Sequence, residues 1–128
     1  MRVLFDTQAL LWAALSSEKL SPKAAAIIAD ESNEMLVSAA SAWEIATKVR
    51  LGKLPFAAEF EREFLNDMDA AGYTLLPIDT DTALRAGRLV GDHGDPFDRM
   101  IAAQALALDI PVISIDSKLD SFGVQRIW

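Results

Sequence analysis

HGDPFDRMIAAQALALDIPVISID, residues 93–116, reads as a helix followed by a strand. Asp95 ahead of Pro96 is a helix start: an acid suited to the N-cap, then a proline whose missing N–H is not needed at the first helical position. Pro96 to Leu108 carries the apolar helical run, and PVISI (111–115) is a continuous stretch of strand-forming residues. A helix that precedes a parallel strand runs antiparallel to it. Its N-terminus therefore lies at the strand's carboxyl edge. Asp98, in the first helical turn, and Asp116, just after the strand, are thereby expected at one edge.

The same alternation recurs outward from this unit. RVLF (2–5), MLVS (35–38), YTLLPI (73–78) and VQRI (124–127) read as further strands. Helices are expected over 7–15, from Pro22 with Ser21 as N-cap, through ASAWEIATKVRLG up to Gly52, over 57–71 up to Gly72, and over 80–90. The strands are almost unbroken apolar runs rather than alternating ones, which marks a parallel sheet covered on both faces. The expectation is a three-layer α/β/α sandwich with a mainly parallel central sheet, one domain over 1–128. Ligands bind such folds at the carboxyl edge of the strands.

The 128 residues are 52% hydrophobic, which suits a globular chain and argues against disorder. A domain of this size buries roughly 65–70% of its unfolded surface. There is no cysteine, so a disulfide scaffold, a thiolate metal site and a cysteine nucleophile are excluded, and a reducing, cytoplasmic setting is expected. No apolar run is long enough to span a membrane. The first residues, MRVLFDTQALLWAAL, do not read as a signal peptide, because Asp6 and Gln8 interrupt the apolar stretch. Net charge is −7 and pI about 4.6, so no general basic groove for nucleic acid exists. A polyanion must be held by a local basic patch or through bound cations, and a basic protein partner is favoured by charge.

Four acids fall at the carboxyl edge: Asp6 after the first strand, Glu44 early in the helix after the second, Asp98, and Asp116 after the fourth strand. Each has a structural explanation on its own. Asp6 suits a helix cap, Glu44 a capping box with Ser41 or a pair with Lys48, Asp98 the positive helix end, and Asp116 an Asx-turn. Asp95 is read mainly as a cap. Together they are harder to explain. Two carboxylates about 5 Å apart repel by roughly 3 kcal/mol at an effective dielectric near 20, whereas a helix dipole returns under about 1 kcal/mol. Raised pKa values, wide separation or a bound cation must offset the difference. Oxygen ligands without cysteine or a histidine cluster favour Mg²⁺ or Mn²⁺ over Zn²⁺, and Mg²⁺ on a few carboxylates leaves positions for water and phosphate oxygens.

Four segments, LFDT, SAWEIATKVRLGKL, HGDPFDRMIAAQA and ISIDSKLDSFGV, occur in an order and spacing that resembles the PIN-domain ribonucleases, specifically the VapC-type toxins of bacterial toxin–antitoxin pairs. The resemblance covers essentially the whole chain. It implies that Asp6, Glu44, Asp98 and Asp116 are the four metal-binding and catalytic acids, with Asp95 an additional acid. It also implies that Thr7 and Ser114 support the metal shell, and that Arg99 orients a carboxylate or meets a phosphate. The implied activity is Mg²⁺- or Mn²⁺-dependent endonucleolytic hydrolysis of RNA. The implied partners are a cognate antitoxin, an RNA substrate and a second copy of the chain in a homodimer.

His93 is the only histidine and reads as a loop residue before the helix cap, since one imidazole does not serve as both acid and base in a metal-free ribonuclease. Trp12, Trp43 and Trp128 read as core or interface anchors rather than base-stacking platforms. Lys48, Arg50 and Lys53 form the one compact basic cluster, explained either by RNA backbone or by a helix C-terminus. Phe60, Phe64, Leu65 and Met68 stand at helical spacing, and the Phe60–Phe64–Met68 stripe is expected to be core or partner interface. Rival readings are a Mg²⁺-dependent phosphohydrolase, a phospho-acceptor receiver module and a catalytically inactive PIN-like interaction domain. The first two need a second acid after the first strand, where Thr7 and Gln8 stand instead.

Overall fold

Val3, Leu4 and Phe5 are all completely buried, although successive side chains of a strand point to opposite faces. Strand β1 (Arg2–Phe5) is therefore covered on both sides. In the computed structural model, which describes residues 1–128, Val3 and Phe5 enter one core and Leu4 a second. The first core packs α1 (Thr7–Leu15), α2 (Pro22–Ala29), α4 (Ala58–Arg62) and α5 (Phe64–Ala71) against the sheet. The second is built mainly on α7 (Pro96–Leu108) through Ile101, Ala102 and Ala105. Helix α3 (Ala39–Arg50) contributes to both, through Ile45 and Ala40 respectively. The result is the expected three-layer α/β/α arrangement.

The remaining strands are β2 (Glu34–Ser38), β3 (Thr74–Leu76), β4 (Val112–Ile113) and β5 (Arg126–Ile127). All neighbours pair in parallel, in the order β3-β2-β1-β4-β5. Leu4 sits between Leu36 of β2 and Val112 of β4. The chain moves outward from β1 to β3, passes through α6 (Thr80–Arg88) and α7, and returns on the other side of β1. That reversal opens a crevice at the carboxyl ends of β1 and β4, the usual ligand position of such sheets.

The element boundaries differ from expectation in several places. Helix α3 starts at Ala39, with the Ser38 hydroxyl capping the Ala40 N–H at 2.9 Å. Ser41 and Glu44 therefore form no capping box, because the helix has begun before Ser41. The helix expected over 57–71 is interrupted at Glu63, and Phe60 and Phe64 both reach the core as an edge-on pair 5.6 Å apart. Leu65, at the same helical spacing, is 69% exposed, while Phe60, Phe64 and Met68 are buried. Strand β4 is shorter than read: it starts after Pro111, which has no N–H to donate, and Ile115 lies beyond the sheet, half exposed.

Candidate functional site

Asp6 stands between β1 and α1, at the N-cap of the helix. Its Oδ1 accepts the Ala9 N–H at 2.7 Å, which is the N-cap hydrogen bond of that helix. The residue is only 4% exposed. Burial first, and then the charges of Asp98 and Asp116, push its carboxyl up from 3.8 to about 6, against hydrogen bonds from Ser114 and Ala9. Thr7 is also buried, and its hydroxyl meets that of Ser41 at 3.0 Å, tying α1 to α3.

Glu44 lies in the second turn of α3 and is 6% exposed. One oxygen, Oε2, pairs with Lys48 a turn later. The other, Oε1, is buried and has no hydrogen-bond partner. Burial works against the charge of Lys48, but the hydrogen bond and charge of Glu44, with Asp95 and Asp98, raise its pKa above the ordinary value.

Asp95 caps α7, its Oδ1 accepting from Phe97 N at 2.8 Å and Asp98 N at 3.2 Å. Asp98 follows in the first turn. Its pKa is raised, first by burial and also by Asp95 and Glu44, against a hydrogen bond from His93. Asp116 Oδ1 accepts from Lys118 N at 3.0 Å, making the expected Asx-type turn, while its own N–H donates to Ser114 Oγ at 2.9 Å.

These segments meet at the carboxyl edge of β1 and β4. A cavity of about 320 Å³ is lined by Asp6, Glu44, Asp95, Asp98 and Asp116, with Lys48 as the only basic side chain. Thr7 and Ile115 also line it. Ser114 is fully buried beneath, held between Asp6 and Asp116. The donor set is entirely oxygen in this cavity, and it includes a buried carboxylate oxygen left without any proton donor. A hard divalent cation such as Mg²⁺ or Mn²⁺ fits that chemistry. It would satisfy Glu44 Oε1 and offset the charge of five acids gathered around one lysine.

Three other residues stand differently from expectation. Arg99 meets no carboxylate. Its Nε and Nη1 donate to the carbonyls of Ala86 and His93 at 3.1 Å each, its Nη2 donates to the carbonyl of Leu89, and its guanidinium lies 5.4 Å from the Phe122 ring centre. It fastens the connection between α6 and α7. Trp43 is 62% exposed and touches Phe97 edge-on, so it is not a core anchor. His93 is the residue the sequence reading missed: its Nε2 lies 2.6 Å from Asp98 Oδ2 and 3.6 Å from Asp116 Oδ2. The signal was present, since His93 stands just outside the helix end that carries Asp98, and so at the same sheet edge. Arg50 and Lys53 do not line the cavity; of the basic cluster only Lys48 does.

Comparison with known proteins fits this geometry. One relative is ribonuclease VapC16 of Mycobacterium tuberculosis, 67% identical over 30 residues, a stretch that spans 23% of this chain and 21% of that protein. Among solved structures, VapBC2 from Rickettsia felis, bound to a DNA fragment from its promoter, superposes with TM-score 0.66 at 13% identity and covers 99% of this chain and 98% of that one. FitAcB from Neisseria gonorrhoeae superposes with TM-score 0.67 at 17% identity, covering 98% of this chain and 96% of that one. At these identities the superpositions speak for the fold. The PIN domain family matches residues 3–124, nearly the full length of the sequence. The chain belongs to the PIN domain family.

Proposed function

We propose that this protein is a metal-dependent endoribonuclease of the VapC type, the toxin of a toxin–antitoxin pair, acting in the cytoplasm. The observation that carries the reading is the meeting of Asp6, Glu44, Asp98 and Asp116, from four separate segments, in one cavity where Glu44 Oε1 is buried without a partner. Further support comes from the similarity to a curated ribonuclease and to VapBC2 and FitAcB. A cognate antitoxin as inhibitor, and a homodimer, belong to the same reading. No helix is long and apolar enough to cross a membrane.

Asp6, Glu44, Asp98 and Asp116 hold the cation, and Asp95 adds negative charge at the rim. When bound, Mg²⁺ or Mn²⁺ supplies a Lewis acid that lowers the pKa of water and offsets the charge of a phosphodiester. The chain's own residues set the geometry. The backbone N–H groups of Ala9 and Lys118 fix the rotamers of Asp6 and Asp116, and the capped first turn of α7 places Asp98. Ser114 and the Thr7–Ser41 hydroxyl pair support this shell from below. Lys48 balances Glu44 and gives an approaching phosphate one positive neighbour.

The test is cleavage of mixed cellular RNA by the purified protein with Mg²⁺, with Mn²⁺ and with EDTA, beside Asp98→Asn. Metal-dependent cuts are expected. The variant should keep its circular dichroism spectrum and lose activity by at least about a hundredfold, since even the hydrogen-bond partners of metal ligands are worth 10–100-fold. A variant that cuts like the wild type removes Asp98 from the machinery. Absence of cleavage under every metal, from folded protein free of antitoxin, transfers the reading to an inactive PIN-like binding domain.

A further inference from the structure

We propose that His93 is a nitrogen ligand for a divalent cation at the edge of the acidic pocket, with Asp98 and Asp116 as its carboxylate partners. The proposal rests on the metal-dependent reading of that pocket and adds a donor outside the four acids. His93 does not line the main cavity; it meets the same carboxylates at its margin.

The first argument is size. One atom from each residue, His93 Nε2 and a carboxylate oxygen of Asp98 and of Asp116, lie within 4.8 Å of one another. Ligands roughly 2.1 Å from a shared ion sit about 3 Å apart when adjacent and about 4 Å apart when opposite. His93 Nε2 stands 2.6 Å from Asp98 Oδ2, a hydrogen bond that an arriving ion would replace, and 3.6 Å from Asp116 Oδ2, so small movements bring the three donors to those spacings.

The second argument is that the imidazole is aimed from behind, by contacts that involve no acid. The His93 carbonyl accepts from Arg99 Nη1 at 3.1 Å, and the ring stacks on Phe122 with centres 6.2 Å apart and planes at 24°. Gly91 lets the loop lie against that same ring: a Cβ there would come within 2.7 Å of Phe122 carbons. A histidine serving only as a hydrogen-bond partner of Asp98 needs none of this support. The third argument is independent of His93. Glu44, which lines the adjoining cavity, keeps a buried Oε1 without a hydrogen-bond partner.

A neutral imidazole offers a softer donor than carboxylate, carbonyl or water. Mg²⁺ gains little from it, while Mn²⁺ accepts it more readily. His93 thus biases the site toward Mn²⁺.

The experiment uses the chelator-stripped full-length protein and Mn²⁺ alone. Pulsed EPR of the bound ion is expected to show ¹⁴N modulation from a directly coordinated imidazole. In His93→Ala that modulation disappears and Mn²⁺ binds roughly tenfold more weakly, with Mg²⁺ affinity changed less than about twofold. Asp98→Asn serves as the control that weakens both ions. Bound Mn²⁺ without ¹⁴N modulation, with unchanged affinity in His93→Ala, overturns the assignment, leaves His93 a hydrogen-bond partner of Asp98 and leaves the metal reading standing. Failure of the wild type to bind either ion overturns both. The wild-type spectrum decides the question even where the variant does not fold.

Discussion

Replacing Asp6 with Asn should make the metal-free protein more stable while removing its activity. The buried Asp6 carboxyl is pushed up from 3.8 to about 6, first by burial and then by Asp98 and Asp116. A shift of about 2 units at roughly 1.4 kcal/mol per unit makes its ionisation cost about 3 kcal/mol of folding free energy near neutral pH. The sign follows from the folded pKa lying above the unfolded one. The protonated group's contribution is fully present below about 3.8 and is lost as pH rises through about 6. Asparagine carries no charge and still caps α1, because its amide oxygen can accept the Ala9 N–H. A gain of about 3 kcal/mol raises the midpoint of a chain this long by roughly 10 °C. The assay is thermal unfolding in EDTA at pH 7.5 and at pH 4. The variant should melt roughly 10 °C above the wild type at the higher pH, and the gap should close at the lower. Saturating Mn²⁺ should stabilise the wild type and leave the variant almost unmoved. Equal or lower stability of the variant at pH 7.5 in EDTA refutes the claim that Asp6 is held at an electrostatic cost.

Lys48→Met removes the one hydrogen-bond donor of a nearly buried Glu44. It should lower metal-free stability by roughly 1–3 kcal/mol, with much of the loss recovered by Mn²⁺; urea unfolding with and without the ion reads this directly. Arg99→Lys cannot reproduce a fork that serves the carbonyls of Ala86, Leu89 and His93. It should cost about 2–3 kcal/mol and speed amide hydrogen exchange within residues 89–94; exchange confined to wild-type rates there contradicts the bracing role.

The parts of this molecule that were legible in the sequence are those governed by local rules. Asp95 and Pro96 start α7 as read, because capping is decided within a few residues. The unbroken apolar run of β1 announced cover on both faces, and strand–helix order alone placed four acids at one edge. What escaped reading depends on partners distant in the chain or in space. Ser41 was assigned to Glu44 by an S-x-x-E spacing, yet its hydroxyl is taken by Thr7, 34 residues away. Arg99 stood beside the acids in sequence but turns its donors to backbone carbonyls of the preceding connection. Trp43 was read as a core or interface anchor, and only the third dimension removes the core alternative, since α3 presents it outward beside Phe97. The break at Glu63 carries no proline or glycine to announce it; two phenylalanines sharing one core make it visible only in three dimensions.

Asp6, Asp95 and Asp116 each spend one carboxylate oxygen on the start of a helical segment. The job of beginning a helix can be done equally well by Asn, Ser or Thr. Neutral replacements at these positions thus leave the architecture whole, and at Asp6 they relieve a burdened charge. In the metal-free chain, loss of the Asp6 charge is thermodynamically downhill, so on the proposed function a loss of catalysis by that route is invisible to any pressure for foldability. On the proposed function, only selection on the cutting reaction itself keeps the acids in place. Descendants freed from that selection should drift into sturdy, well-folded proteins that still present the same outer surface, and so retain whatever binds there.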